Sequence, residues 1–90
     1  MTIDEAAQLV ASTTGEFPIS GFEFDGAYYI LMTPLSDYNP GNDTVHCYYP
    51  VVDGVVGDPK NVLGLFLESP DPRAMADAAK QSIKLTRVGK

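Results

Sequence analysis

His46 and Cys47 are the single histidine and the single cysteine of this chain, adjacent in the stretch His46-Cys47-Tyr48-Tyr49-Pro50. An imidazole next to a thiol could make a nucleophile and its base, and both groups are metal ligands. The spacing argues against either use. The segment Thr44–Val52 reads as a β-strand in which Val45, Cys47, Tyr49 and Val51 alternate with Thr44, His46, Tyr48 and Pro50. Neighbours in a strand point to opposite faces, so the ring cannot reach the sulfur. Cys47, in apolar company, reads as a small buried hydrophobe. A zinc site needs at least three protein ligands, and only a carboxylate-assisted or intersubunit site could complete this pair.

Other chemistry finds equally little footing. Asp37, Asn39, Gly41 and Asp43 stand at alternate positions, as in a calcium loop. An EF-hand demands Asp or Asn where Gly41 stands, Gly where Asn42 stands and a bidentate Glu where Tyr48 stands. The segment therefore reads as a turn built from Asn, Pro and Gly. No serine lies in a nucleophile elbow and no glycine-rich run has phosphate-loop spacing. The carboxylates sit at turns, helix starts and strand edges, with no pair set up for acid–base work. The expectation is a non-enzymatic chain with no catalytic residue, no cofactor and no metal.

Charge is unevenly laid out. The chain has 90 residues, twelve acids and six bases, for a formal net charge of −6. Nine of the acids and none of the bases fall in residues 1–59, which leaves residues 60–90 at +3. An acidic body repels nucleic acid and anionic lipid and attracts basic surfaces. Five tyrosines could serve as a stacking platform for single strands, but they lie in the segment without Lys or Arg. The partners expected are proteins, with no nucleic acid and no membrane. One cysteine allows no internal disulfide, and the opening Met1–Val10 carries acids where a secretory signal carries bases. Together these point to a cytoplasmic location.

The elements that must position these residues follow from local signals. Thr2 and Glu5 have the capping-box spacing, Ile3, Ala6, Ala7 and Val10 share one helical face, and Gly15 supplies a left-handed stop. A helix over about Ile3–Thr14 results. Asp25-Gly26 is a preferred type I′ turn, placing Phe24 opposite Ala27, Glu23 opposite Tyr28 and Phe22 opposite Tyr29. Asp53-Gly54 offers a second such turn between Val51-Val52 and Val55-Val56. The run Val62-Leu63-Gly64-Leu65-Phe66-Leu67 has the length and continuity of a strand covered on both faces. Ser69 or Asp71 caps a closing helix with Pro72 in its first turn, running to about Arg87. Met75, Ala78, Ala79, Ser82 and Ile83 are its inner stripe, and Lys80, Lys84 and Arg87 a cationic one. A capped helix followed by strands joined at Asp-Gly turns resembles the layout of PepSY-type regulatory domains, and the likeness assigns no site residue.

The fold expected is α+β: a single domain over residues 1–90, a two-layer sandwich with a four- or five-stranded, mainly antiparallel meander sheet. Its order is α-β-β-β-β(-β)-α, with the N- and C-terminal helices packed on one face. Phe22, Phe24, Ala27, Tyr29 and Leu31 would form the core face. The other face would carry Tyr28, Ile30, Met32, His46 and Tyr48, with Glu23 beside them, provided the strands are in phase. A patch of this size marks an interaction site unless the 35–43 loop or one helix folds over it. The functional expectation is a small acidic interaction module, meeting a second copy of itself or acting as adaptor or inhibitor of a partner protein. The alternative is a small-ligand or weakly catalytic pocket using Tyr28, His46, Tyr48 and Glu23.

Overall fold

A computed structural model describes residues 1–33 and 47–86. The elements are α1 (Ile3–Thr14), β1 (Phe17–Phe24), β2 (Ala27–Thr33), β3 (Cys47–Val52), β4 (Val55–Val56), α2 (Val62–Glu68), α3 (Pro72–Ala79) and β5 (Ile83–Lys84). The strands form one antiparallel sheet in the order β4-β3-β2-β1-β5. The α+β class with a five-stranded antiparallel sheet is thus the one the sequence implies.

Local signals act as their chemistry dictates. The Thr2 hydroxyl accepts from the Glu5 N–H, and the Glu5 carboxylate accepts from the Thr2 N–H at 2.8 Å, so two otherwise orphaned amides are satisfied. Gly15 closes α1 in the left-handed conformation. Asp25 and Gly26 both have positive φ, 52° and 77°, as a type I′ turn requires, and Phe24, Glu23 and Phe22 face Ala27, Tyr28 and Tyr29. Asp53 and Gly54 repeat that turn between β3 and β4.

The helices do not share one face of the sheet, which corrects the two-layer arrangement. Ala6, Ala7 and Val10 of α1 pack with Ile30, Met32, Val51 and Leu85, all at most 1 % exposed. On the other face, Leu65 of α2 and Met75 of α3 pack with Phe22, against which Phe24, Tyr29 and Tyr48 also lie. Sheet residues of both parities are apolar, and each set has found its own helical cover. The layers are therefore α1, sheet, and α2 with α3.

Two further elements depart from the sequence reading. Val62–Glu68 is a helix, not a strand: the Asn61 side chain accepts from the Gly64 N–H at 2.7 Å and caps it. Leu65 is buried while Leu67 is 74 % exposed, a helical rather than an alternating pattern. The closing helix stops at Ala79 instead of running to about Arg87. The chain turns there, and Ile83 and Lys84 pair with Gly21 and Ser20 of β1. Lys80 and Lys84 consequently lie on different elements, and Arg87 lies outside the described residues. The turn lets Leu85 enter the α1 core, at no exposure.

β1 carries a bulge. Its register steps from Pro18 opposite Met32 to Ser20 opposite Leu31. Gly21, on the α1 side, has no room for a side chain: a Cβ there would stand 2.9 Å from Leu85 Cδ1 and 3.0 Å from both Ile30 Cδ1 and the Tyr29 carbonyl oxygen. Helices are present, but no helix among the described residues is long and apolar enough to cross a membrane.

Candidate functional site

The surface expected to be open is not one surface. Register places Tyr28, Ile30 and Met32 opposite Val51, Tyr49 and Cys47, whereas Tyr48 lies opposite Leu31. Paired residues share a face, so Tyr48 is on the far side of the sheet from Tyr28. Ile30 and Met32 are sealed beneath α1, Tyr28 is half-buried at its edge and Glu23 is exposed beside Tyr28. The patch is thus covered by the chain's own first helix. One residue of phase in β3 is enough to exchange the faces. His46, and with it the Asp37–Asp43 calcium-like spacing, lies outside the described residues. Tyr28, Glu23 and Tyr48 therefore do not converge on one pocket.

Tyr28 has a structural task. Its hydroxyl donates to the Met1 carbonyl at 2.6 Å and ties the start of α1 to β2. Desolvation raises its pKa, and the neighbouring Glu23 carboxylate adds to the rise. Tyr49 ties the end of the same helix: its hydroxyl donates to the Glu16 carboxylate at 2.7 Å. That hydrogen bond, with desolvation second, pushes the Tyr49 phenol up to about 12. Cys47 is free and half-buried on the α1 side. Among the described residues no group of three or more His, Cys, Asp or Glu side chains could hold a metal ion.

The concave feature on the other face depends on α2 being a helix, which the apolar run Val62–Leu67 does not signal. A cleft of ≈ 320 Å³ opens between the sheet and the α2–α3 pair, at the Asp25-Gly26 end of the hairpin. Phe24, Tyr29 and Pro50 come from the strands, Leu65 and Met75 from the helices, and Val52 at 48 % exposure extends the apolar lining outward. Asp25 stands on its rim together with the Lys60–Glu68 ion pair. Lys60 is held there by backbone: its N–H donates to the Tyr48 carbonyl at 2.9 Å, and its carbonyl accepts from the Tyr48 N–H at 2.8 Å.

Aromatic contacts back the strand side of the cleft. Phe22 stacks on Tyr29 at 5.2 Å between ring centroids and meets the Tyr48 edge at 5.6 Å. Burial pushes the Tyr29 phenol up, with the Asp25 carboxylate adding to it, and burial alone raises Tyr48. Both phenols are neutral at physiological pH, and the site offers an apolar floor, the neutral Tyr29 hydroxyl and a charged rim. The rim's three formal charges are two carboxylates and one ammonium, a small negative excess. The chemistry available is recognition of an apolar body with a cationic flank.

Comparison with protein-family models, with curated proteins and with solved structures finds no match to this chain.

Proposed function

We propose that the chain is a small acidic, non-enzymatic protein–protein interaction module whose working surface is the cleft between the sheet and α2–α3. It acts as an adaptor or inhibitor, receiving an apolar side chain of the partner against Phe24, Tyr29, Leu65 and Met75. The observation that carries this reading is a cleft that, among the described residues, stays open at the edge of the α2–α3 core, floored by the buried Leu65 and Met75 and flanked by the exposed Val52. Interfaces concentrate their energy where one side chain fills such a pocket inside a polar rim. The rim here is charged, and the acidic excess of residues 1–59 favours a basic partner and speeds its approach at low salt.

The cleft's volume stands at the small end of ligand pockets, which run from about 300 Å³ upward. That favours a second reading in which a small apolar molecule fills it alone. Titration of labelled protein with N-acetyl-tyrosine amide and N-acetyl-leucine amide, followed through the Leu65 and Met75 methyl signals, tests the site itself. Saturable shifts there, lost in Val52→Arg, support the module. Shifts confined to other parts of the molecule, or none, sink it. Light scattering at low and high salt tests the homodimer version: a dimer broken by Val52→Arg would put a second copy in the cleft.

A further inference from the structure

Resting on that cleft reading, we propose that the partner segment is an extended stretch of another protein, apolar with flanking Lys or Arg. It adds a sixth strand beside β4 and extends one long side chain to the mouth of the cleft. The argument begins with which backbone groups face outward. Val52 pairs with Val55 across the turn, Val51 with Val56, and the Gly57 N–H donates to the Pro50 carbonyl at 2.8 Å. Hydrogen-bonded and non-hydrogen-bonded pairs alternate along an antiparallel ladder. Residues 50 and 57 are a bonded pair, so 52 and 55 are another, and 51 and 56 are not. The N–H and C=O of Val56 therefore point away from β3, out of the sheet's edge.

Side chains beside that edge suit a docking strand. Val55 is 67 % exposed and shares the cleft's face with Val52. A strand laid along β4 would lie about 9–10 Å from β3, two strand spacings. Its same-face side chain would cover Val55, and a long one leaning across it would reach Val52 at the mouth of the cleft. The opposite edge of the sheet, β5, carries Lys84, the kind of residue that blunts an edge. β4 itself presents Val55 and Val56, and the Lys60 that follows on the same edge is held in its ion pair with Glu68.

Charge then selects the occupant. Asp53 and Asp58 bracket β4 on either side. Two copies of this chain pairing antiparallel about Val56 would set Asp58 of each against the Asp53-Gly54 turn of the other, with a net charge of −6 on both. Like charges facing across strands oppose that pairing. A strand with Lys or Arg on either side of its apolar centre turns both contacts from repulsive to attractive.

The test is selection of short random peptides displayed against the full chain, followed by amide exchange and methyl spectra with the tightest peptide. The expected result is enrichment of apolar cores flanked by Lys or Arg, slowing of Val56 amide exchange by about tenfold or more, and shifts at Leu65 and Met75. Val55→Lys, a change at an exposed position, should abolish binding. Peptides that move Leu65 and Met75 but leave Val56 exchange unaltered overturn the strand addition and leave the cleft reading standing. Peptides that slow Val56 exchange without touching the cleft signals overturn the cleft reading and the combined site with it. Enrichment of acidic or charge-free sequences, undiminished binding by Val55→Lys, or a dimer that Val55→Lys dissociates would each overturn the proposal.

Discussion

Gly21→Ala is the substitution on which the arrangement of the α1 core can be judged most sharply. A methyl at this position would meet Leu85 Cδ1 at 2.9 Å, Ile30 Cδ1 at 3.0 Å and the Tyr29 carbonyl oxygen at 3.0 Å. Carbon atoms in good packing contact stand about 3.5–4.0 Å apart, so three neighbours must each retreat by several tenths of an ångström. Two are side-chain ends, but Ile30 and Leu85 have no exposure and are packed within the α1 core. The third is backbone in the middle of the sheet. Overpacking of this kind costs about 1–3 kcal/mol. Replacing a strand glycine by alanine returns about 0.5–1 kcal/mol through the unfolded chain. The net expectation is a loss of up to about 2.5 kcal/mol, read as a lower urea midpoint at unchanged slope. Ile30→Val removes one of the offending methyls. Alone it should cost about 1 kcal/mol; in the Gly21→Ala background it should cost less than that, because it also relieves a clash. A double-mutant cycle measures the difference. A stabilising Gly21→Ala, or strictly additive effects, would refute the close approach of Leu85 and Ile30 over β1.

Ile30→Ala should cost about 2–4 kcal/mol, a large part of the ~5–10 kcal/mol expected for a chain of this size, and chemical denaturation would show it; a cost near zero would mean that α1 does not cover this face. Tyr49→Phe should lose about 1 kcal/mol at neutral pH, the worth of its half-buried bond to Glu16. Because the folded pKa of Tyr49 is raised above the unfolded value, that advantage is full below about pH 10 and fades as pH rises through about 12, so the wild type and Tyr49→Phe curves should converge there. Asn61→Ala removes the cap of α2 and should cost about 1 kcal/mol, seen as faster amide exchange in α2 and a weaker cleft signal.

What could be read from the residues was what neighbours in the chain decide. The Thr2–Glu5 cap, the Gly15 stop and the two Asp-Gly turns each involve groups a few bonds apart, so composition alone locates them. The pairing across the Asp25-Gly26 turn follows from its length. The pairing of β2 with β3 does not, because thirteen residues separate Thr33 from Cys47, and a slip of one would carry Tyr48 to the Tyr28 side. That parity decides whether Tyr48 joins Tyr28. The Tyr28–Met32 face looks open for a different reason, because the sequence reading assigns both helices to the opposite face, whereas α1 covers it. The run Val62–Leu67 is apolar enough to be either a buried strand or a short helix, and the Asn61 cap is the signal that could have separated them. The ending of α3 at Ala79 reflects a competition that local propensity does not contain: Ile83, Lys84 and Leu85 gain more by pairing with β1 and filling the core than by adding a helical turn. The cleft, which exists only because of these last two outcomes, was correspondingly invisible.

The position of Leu85 also governs when this fold can exist during synthesis. A ribosome delivers α1, the β1–β2 hairpin and β3 first, and these already contain most of the apolar groups of the α1 core. Yet the place over Gly21 stays vacant, and the β1 edge stays unpaired, until residue 85 has cleared the exit tunnel. Until then the emerged chain is a bare-edged hairpin with an exposed apolar side, the kind of intermediate that chaperones engage and that misassociates when crowded. Slowing translation over the codons for residues 60–85 should therefore lengthen that exposed interval rather than help the chain fold.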